Sequence, residues 1–359
     1  MASRRVLTDR ARLYRTLRSA HLERAHELPP AAILFRDKRY DFHEELTEGL
    51  VVLQARPVHA AWLLLRSRVT TLEICEPLML SSVWGSALSI GALHLRALLG
   101  GRPATIVSYA LENASPFERK LGVKARLRRA SAGIAARFVW RQTDRIAFGT
   151  DAARVTYRKA LPAPTRGTVL AIIPALPAPC TCAAGAGTDP DRVVFLGALV
   201  ERKGLPNLLA AWPRVRELVP HARLTIIGKG ALENRARQAA AEDPTIELII
   251  DPPRSEIHRQ LRRASVLALP SQPTAIWREQ VGLPIVEGLA HDCSIVTTTE
   301  TGLASWLAEH GHDVVAPGCS PQQLADALVH ALQTPNSTID DLPTVDGRLA
   351  ADAWLFSES

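Results

Sequence analysis

Two glutamates eight positions apart, Glu279 and Glu287, flank a segment that could bind a phosphate group. Between them, Gly282-Leu283 precedes Pro284, which suits a helix start because its missing N–H would have no helical partner there. The free amides and the positive dipole end of such a start attract anions. Carboxylates on both sides of a phosphate site suit a ligand with hydroxyls on both sides of a pyrophosphate, which is the layout of a nucleotide sugar. The alternative is a capping carboxylate followed by an exposed helical glutamate.

Two glycine-containing loops follow predicted strands earlier in the same half of the chain. The first carries Arg202 and Lys203, so that a lysine could reach a phosphate across the strand ends; a solvated loop lysine is the alternative. The second, Gly228–Gly230, resembles the start of a dinucleotide fingerprint, but Glu233 stands where the third glycine belongs. This loop is therefore weak evidence for NAD binding. Its glycines indicate instead that the backbone lies close to another group.

The elements that must position these residues alternate between strands and helices. Apolar runs of strand length, such as Val193–Leu196 and Leu224–Ile227, alternate with helical patterns such as Leu205–Leu218. The first half alternates in the same way, with predicted strands at Thr105–Tyr109 and Arg145–Phe148. Such alternation predicts an α/β fold built from βαβ units. Ligands of these folds bind at the carboxyl ends of the strands.

The charge of the chain also changes along its length. Residues 1–180 hold 28 basic and 14 acidic residues, whereas the remaining residues hold 15 basic and 22 acidic ones. The change coincides with a cluster of prolines between positions 174 and 179. We therefore predict an N-terminal domain at 1–175, a C-terminal domain at 176–335 and a tail at 336–359.

Composition excludes several classes of protein. The chain has 359 residues, of which 47% are hydrophobic and 22% charged, as in an ordinary globular protein. Charged residues, prolines or glycines interrupt every apolar stretch before about 20 residues, so no membrane span is expected. The segment Met1–Arg18 lacks the apolar centre of a secretory signal. Five cysteines in so long a chain form no disulfide framework, which predicts a cytoplasmic location.

Two basic segments, Arg4–Arg24 and Arg119–Arg145, are predicted to be helices that also carry leucines. Amphipathic basic helices bind anionic bilayers, so one prediction is peripheral attachment at the inner membrane surface. The alternative is that the leucines pack into the N-terminal domain and the arginines are solvated. Nucleic acid is not expected as a partner, because few aromatic residues lie among the arginines to stack on bases.

The motifs of the second half resemble the nucleotide-sugar domain of retaining family-four glycosyltransferases, over Val193–Leu332. The residues that carry this resemblance are Gly197, Lys203-Gly204, the strand and loop Leu224–Gly230, Pro270-Ser271, the Glu-x7-Glu element from Glu279 to Glu287, and Thr297–Gly302. It implies the GT-B fold, in which two Rossmann-like domains with parallel sheets face each other. It also implies a hexosyltransferase that moves a hexose from a nucleoside diphosphate sugar to a glycan, a lipid-linked sugar or a small glycoside, as in polysaccharide biosynthesis.

The same resemblance implies a role for each site residue. Glu279 would be the catalytic residue and hold hydroxyls of the transferred sugar, and Glu287 would hold the ribose. Lys203 and the amides near Gly282–Ile285 would neutralise the departing diphosphate, with Arg202 as a further cation. Gly282, Leu283 and Pro284 would thus belong to the donor-binding residues. The implied mechanism is front-face attack with retention of configuration. It needs no side-chain nucleophile, no divalent metal and no cofactor besides the nucleotide sugar.

The sequence departs from the family's pattern at three places. Ala198 stands where arginine usually follows the loop glycine, so one phosphate contact is missing unless Arg202 or Arg278 substitutes for it. The stretch between Ser271 and Glu279 is longer than usual. The family's glycine-rich acceptor loop is missing after Ile33–Phe35, where Arg36–Arg39 follows instead. These departures favour a second interpretation, a non-catalytic glycosyltransferase-like binding protein. Among enzymes, a GT-B epimerase or phosphorylase is the closest alternative.

Two weaker signals remain. Glu112 and Asn113 follow a predicted strand and could contact the acceptor, or could simply cap a loop. Cys180-Thr181-Cys182 has the composition of a metal site, but no matching Cys or His pair follows at useful spacing, so no metal is predicted. His291 is accordingly predicted to be a surface residue.

Overall fold

A computed structural model of the protein describes residues 8–39, 42–117, 123–164, 167–182, 187–274 and 277–357. The chain forms two compact units. The first unit combines Met1–Pro174 with Arg348–Ser359, and the second consists of Ala175–Gly347. Within the described ranges, no helix combines the length and the apolar character that crossing a bilayer requires.

The first unit is built on a seven-stranded parallel sheet. Its strands are β1 (Arg10–Leu17), β2 (Ala32–Lys38), β3 (Val52–Gln54), β4 (Thr71–Glu73), β5 (Thr105–Ala110), β6 (Arg145–Phe148) and β7 (Val169–Ile172). Its helices are α1 (Ser19–Glu27), α2 (Pro57–Leu65), α3 (Val83–Leu98), α4 (Val123–Arg141) and α5 (Asp151–Ala160). The strand order is β3-β2-β1-β4-β5-β6-β7, so the direction of winding reverses between β1 and β4.

The second unit is built on a six-stranded parallel sheet. Its strands are β8 (Asp189–Leu196), β9 (Arg223–Ile227), β10 (Ile246–Ile249), β11 (Ala264–Leu269), β12 (Ser294–Thr298) and β13 (Asp313–Val315). Its helices are α6 (Leu205–Leu218), α7 (Glu233–Glu242), α8 (Arg254–Arg263), α9 (Leu283–Ala290), α10 (Ala304–Glu309) and α11 (Pro321–Gln333). The order β10-β9-β8-β11-β12-β13 reverses between β8 and β11, which is where ligands bind in such sheets.

The predicted α/β class with parallel sheets is confirmed in both units. Every residue of β11 and of β12 is buried. Strands that are buried on both faces are typical of parallel sheets covered by helices on each side. Loops follow the carboxyl ends of the strands, and in the second unit these loops carry the candidate residues.

The prediction of a basic helix over Arg4–Arg24 is wrong within the described residues, and its part before residue 8 lies outside them. Residues Arg10–Leu17 form strand β1, and only the short α1 follows. Arg12 is buried because Glu73 Oε2 and Asp352 Oδ1 accept hydrogen bonds from its guanidinium at 3.2 and 2.7 Å. A paired arginine can occupy a central strand, although arginines are almost never buried without a partner.

The segment 336–359, predicted as a tail, instead contains helix α12 (Gly347–Leu355), and Arg348–Ser359 belongs to the first unit. Ala351, Leu355 and Phe356 are buried against Val107 and Ala147 of the first sheet. Arg348 forms an ion pair with Glu73, the carboxylate that also accepts from Arg12. The helix has only nine residues, which is too few for a decisive helical pattern in the sequence. The surface that its apolar side packs against is formed by residues far away in the sequence.

Candidate functional site

At the carboxyl edge of the second sheet, the loops after β8, β9 and β11 pack backbone against backbone. Gly204 has a φ of +78°, and a Cβ there would lie 1.9 Å from the carbonyl oxygen of Pro270. At Gly228 a Cβ would lie 1.9 Å from the carbonyl oxygen of Gly197. Only glycine fits at these two positions, which agrees with the predicted close backbone approach. The packing brings the loop after β8 against the segment that follows β11.

That packing brings Lys203 and Glu279 together. The Nζ of Lys203 forms an ion pair with Oε2 of Glu279, and their side chains are only 11% and 10% exposed. Ser271 donates from its hydroxyl to the same carboxylate oxygen at 3.2 Å. Its carbonyl in turn accepts from the Thr298 hydroxyl at 2.6 Å. A buried carboxylate with a cation and a hydroxyl as partners is a preorganised polar centre in a region of low water access.

Helix α9 begins at Leu283, with Pro284 in its first turn, as the sequence predicts. Gly282 precedes it with a φ of +84° and has no side chain with which to cap the helix. The segment before α9 is held by the Thr301 hydroxyl, which donates to the carbonyl of Val281 at 2.6 Å. The start of α9 thus has the geometry of an anion site, with the Lys203–Glu279 pair a few residues before it.

Glu287 lies in the second turn of α9, and Oε1 of its carboxylate accepts a hydrogen bond from Nη1 of Arg254 at 2.5 Å. The Glu287 side chain is 23% exposed and that of Arg254 is 60% exposed. Arg254 is the first residue of α8, and the loop 250–253 separates it from the end of β10. The pair therefore joins two helices beside the carboxyl edge of the sheet, and sequence analysis did not identify Arg254 as a partner.

The two arginines that could replace the missing arginine at Ala198 both have other partners. The Cζ of Arg202 lies 4.2 Å from the ring centroid of Trp277. Arg278 donates from Nε to Glu300 at 2.9 Å, and Glu300 is buried in the loop after β12. The sequence did not indicate that Glu300 is the partner of Arg278, because the two residues are 22 positions apart.

In the first unit, Glu112 and Asn113 lie in the loop after β5. Oε1 of Glu112 accepts from the amide of Ala114 at 3.1 Å, the loop-capping geometry that was the alternative to acceptor contact. The loop is held by Glu76, whose Oε2 accepts from the amides of Leu111 and Glu112 at 3.0 and 2.9 Å. Glu76 is buried, and burial raises its pKa to about 7. No motif in the sequence singled out this carboxyl group.

A polar cavity of about 830 Å³ lies at the carboxyl ends of β2 and β3 in the first unit. It is lined by Arg36, Asp37, Gln54, Arg56, Pro57 and His59. Arg36, Asp37 and Lys38 therefore form the end of β2, the second strand of this sheet, and Arg39 follows it. The prediction that Ile33–Phe35 is the first strand is wrong, because the arginines of β1 gave that earlier strand a helical pattern. The residues directly after β1, Arg18-Ser19-Ala20, contain no glycine either.

The expectation that Cys180 and Cys182 lack matching ligands is also wrong. His258 of α8 and His291, the residue after α9, lie next to them, and the ligand atoms of all four residues are within 4.8 Å of one another. His291, predicted at the surface, is half-buried. The partners were invisible in the sequence because they come from separate elements, 78 and 109 residues further along the chain.

Comparison with known proteins finds a family match within the second unit. Residues 190–334 match the glycosyl transferases group 1 family. The amylovoran biosynthesis glycosyltransferase AmsK of Erwinia amylovora is 29% identical over 175 residues, which are 47% of this chain and 41% of that protein. A GDP-mannose-dependent monoacylated alpha-(1-6)-phosphatidylinositol monomannoside mannosyltransferase of Corynebacterium glutamicum is 27% identical over 151 residues, covering 41% of this chain and 40% of that protein. The matches thus span about 40% of the length of these curated relatives.

Among solved structures, Alr3699/HepE of Anabaena in complex with UDP aligns over 97% of this chain and 96% of its own, with a TM-score of 0.63 and 13% identity. The two parallel sheets and this likeness define a GT-B fold. Within that fold class, the match of residues 190–334 to the glycosyl transferases group 1 family agrees with the resemblance that the sequence motifs carry.

Proposed function

We propose that the protein is a retaining glycosyltransferase that moves a hexose from a nucleoside diphosphate sugar to a hydroxyl acceptor. The observation that carries this proposal is the buried Lys203–Glu279 pair beside the start of α9. It supplies, in one place, a cation and a helix terminus for a diphosphate and a carboxylate for sugar hydroxyls. The UDP in the complex with Alr3699/HepE and the GDP-mannose in the name of the C. glutamicum relative support a nucleotide-sugar donor.

In the proposed reaction, the bond between the anomeric carbon and the diphosphate oxygen breaks while the acceptor oxygen attacks from the same face. Negative charge grows on the departing diphosphate as the bond breaks, and the diphosphate takes up the acceptor proton. Lys203 and the amides at Gly282-Leu283 face that growing charge, and preorganised groups of this kind stabilise transition states most effectively. Glu279 holds sugar hydroxyls, and Glu287 holds the ribose. The transfer needs no metal ion.

Retention is tested by the configuration of the product. An α-linked donor should give an α-linked product, which the coupling constant of the anomeric proton distinguishes in a proton NMR spectrum. A β-linked product from an α-linked donor would contradict the front-face mechanism while leaving transfer itself intact. The donor for this test is identified first, by measuring which UDP-, GDP- and ADP-hexoses raise the melting temperature of the protein. A ligand that binds only the folded state stabilises the folded protein.

We further propose that the first unit, to which we assign the acceptor, rests on an anionic lipid surface. On α4, Leu127 and Ile134 are 70% and 67% exposed, and Arg126, Arg137 and Arg141 are exposed on the same helix. The neighbouring α3 exposes a second apolar stripe, which consists of Trp84, Leu88, Leu95 and Leu98. Exposed apolar side chains among arginines suit the boundary of an anionic bilayer. Leu121 of the predicted pattern lies outside the described residues.

A lipid surface would place the protein beside a lipid-linked acceptor, and the phosphatidylinositol mannoside in the name of the C. glutamicum relative supports this choice. A glycan or small glycoside in solution is the alternative acceptor. The cavity lined by Arg36 and Arg56 offers polar and cationic groups to either one.

The second candidate function is that of a non-catalytic protein that binds a nucleotide sugar. Two observations favour it: Ala198 provides no cation, and the guanidinium of Arg278 is paired with Glu300. The two functions differ in one simple readout. A transferase hydrolyses its donor slowly when no acceptor is present, whereas a binding protein leaves the donor intact.

A further inference from the structure

We infer that Cys180, Cys182, His258 and His291 form a four-coordinate zinc site. The Sγ of Cys180 lies 3.7 Å from Nδ1 of His258, and the Sγ of Cys182 lies 3.5 Å from Nε2 of His291. In a zinc tetrahedron with bonds of about 2.3 Å to sulfur and about 2.0 Å to nitrogen, neighbouring sulfur and nitrogen ligands are roughly 3.5 Å apart. Both distances therefore fit a single ion between the four ligands.

Two of the other four separations are shorter than in a zinc tetrahedron. The two imidazole nitrogens, Nδ1 of His258 and Nε2 of His291, are 3.0 Å apart. The two sulfurs are 2.7 Å apart, which is closer than the roughly 3.8 Å of a zinc tetrahedron but well beyond the about 2.0 Å of a disulfide bond. An ion would push the sulfurs apart by about 1 Å, a shift that rotation of two half-buried side chains can supply.

The orientation of His291 is that of a metal ligand. Its Nδ1 lies 2.7 Å from the main-chain carbonyl of Glu287, and a carbonyl can only accept, so Nδ1 carries the proton. The lone pair is then on Nε2, the atom that points at Cys182 and His258. Metal-bound histidines almost always donate their other ring N–H to a carbonyl or carboxylate in this way.

The donor set selects the metal. Two thiolates and two imidazoles in a tetrahedral arrangement are the ligands of structural Zn²⁺, and four protein ligands leave no position for a substrate. Binding releases the two thiol protons, so that the complex is neutral and can be half-buried without an unpaired charge. This site is therefore structural and separate from the proposed transfer chemistry, which lies at the other end of α9.

The ion would join three elements of the second unit. The cysteines lie between β7 and β8, His258 lies in the second turn of α8, and His291 follows α9. The amide of Cys180 also donates to the carbonyl of Ala290 at 2.8 Å, which already fixes this segment against the end of α9. Since Arg254 of α8 pairs with Glu287 of α9, the zinc would hold the same two helices together one turn further along.

The test is the metal content of the full-length protein, purified without chelators and dialysed against metal-free buffer. We expect one equivalent of zinc by inductively coupled plasma mass spectrometry, and loss of that zinc in Cys182→Ser and in His291→Gln. Cys319→Ser and His330→Gln, which change a cysteine and a histidine of the same unit outside the cluster, should retain it. Metal-free wild-type protein that does not take up added Zn²⁺, or ligand variants with full zinc content, would overturn the proposal.

A second measurement covers variants that fail to fold. Wild-type protein reconstituted with Co²⁺ should show the ligand-field bands of a tetrahedral ion and the charge-transfer band of a cobalt–thiolate bond, and both should disappear when Zn²⁺ is added. A thiol titration of the denatured, unreduced protein distinguishes the zinc site from a disulfide between the two cysteines. Five reactive thiols fit the zinc site, whereas three would mean that Cys180 and Cys182 form a disulfide, which would contradict it.

Discussion

Lys203 and Glu279, 76 positions apart in the sequence, form an ion pair that is almost completely shielded from solvent. Each residue belongs to a different loop at the switch point between β8 and β11. The pair explains why a glycine must follow Lys203, since the loop can reach Glu279 only by passing against the carbonyl of Pro270. It also means that neither residue can be replaced without changing the environment of the other.

The first prediction concerns the diphosphate. Lys203→Met alone leaves a buried carboxylate without its cation, a change that typically costs 3–5 kcal/mol of stability. We therefore compare the double variant Lys203→Met/Glu279→Gln with Glu279→Gln alone. Calorimetry should find that losing Lys203 weakens binding of the nucleoside diphosphate about tenfold more than binding of the monophosphate. Equal losses for the two nucleotides would remove Lys203 from the phosphate site.

The second prediction concerns the ribose. Glu287→Gln should weaken binding of the nucleotide by about 1–3 kcal/mol, because hydrogen bonds to a charged group are lost. Arg254→Gln is the matched control, since it breaks the same ion pair but keeps the carboxylate. Its affinity should stay close to that of the wild type in the same titration. If both variants lose affinity equally, the carboxylate acts only through its pair with Arg254.

The third prediction is a dependence of stability on pH. Burial raises the pKa of Glu76 from 4.5 to about 7, so the folded protein binds more protons than the unfolded chain between these values. The free energy of unfolding should therefore fall as the pH rises through this window, by up to about 3 kcal/mol from this group. Glu76→Gln keeps a carbonyl acceptor for the amides of Leu111 and Glu112 and should remove that part of the slope.

Urea unfolding of both proteins across this pH range measures the difference. Glu48→Gln, an exposed glutamate of the same unit, is the control and should leave the slope unchanged. A slope in Glu76→Gln identical to that of the wild type would mean that Glu76 titrates normally.

The fourth prediction concerns the lipid surface. The wild type should sediment with vesicles that contain phosphatidylglycerol and not with vesicles of phosphatidylcholine alone. Salt near 1 M should release it, because the screening length then falls to about 3 Å. Leu127→Ser/Ile134→Ser on α4 should reduce the bound fraction, whereas Val155→Ser, an exposed position on α5, should not. Binding to both kinds of vesicle, or to neither at low salt, would favour an acceptor in solution.

The sequence predicted the parts of this protein whose signals are local. The start of α9 follows from the order Gly282-Leu283-Pro284, and the strands of the second sheet follow from uninterrupted apolar runs. β1 could not be found this way, because the burial of Arg12 depends on Glu73 and Asp352, 61 and 340 residues away. Without knowledge of those partners, the arginines and leucines of Arg4–Arg24 were interpreted as an amphipathic basic helix.

The candidate site shows the same division. Glu279, Glu287 and Lys203 were selected as candidates because short motifs surround them. Their actual partners, Ser271 and Arg254, and the pairing of Lys203 with Glu279 itself, depend on how separate loops meet after folding. The four ligands of the proposed zinc site come from three separate parts of the chain, so no spacing rule for neighbouring cysteines could predict them.

The most direct test of the central claim is the release of nucleoside diphosphate from UDP-, GDP- and ADP-hexoses without acceptor. The wild type should hydrolyse at least one donor slowly. Glu279→Gln should do so about 100-fold more slowly, the loss expected when a positioned transition-state contact is removed, while its affinity for the free diphosphate does not weaken. Glu309→Gln, at an exposed position of α10, should match the wild type. A wild type that binds a donor yet never cleaves it, or a Glu279→Gln variant of unchanged rate, would contradict the account.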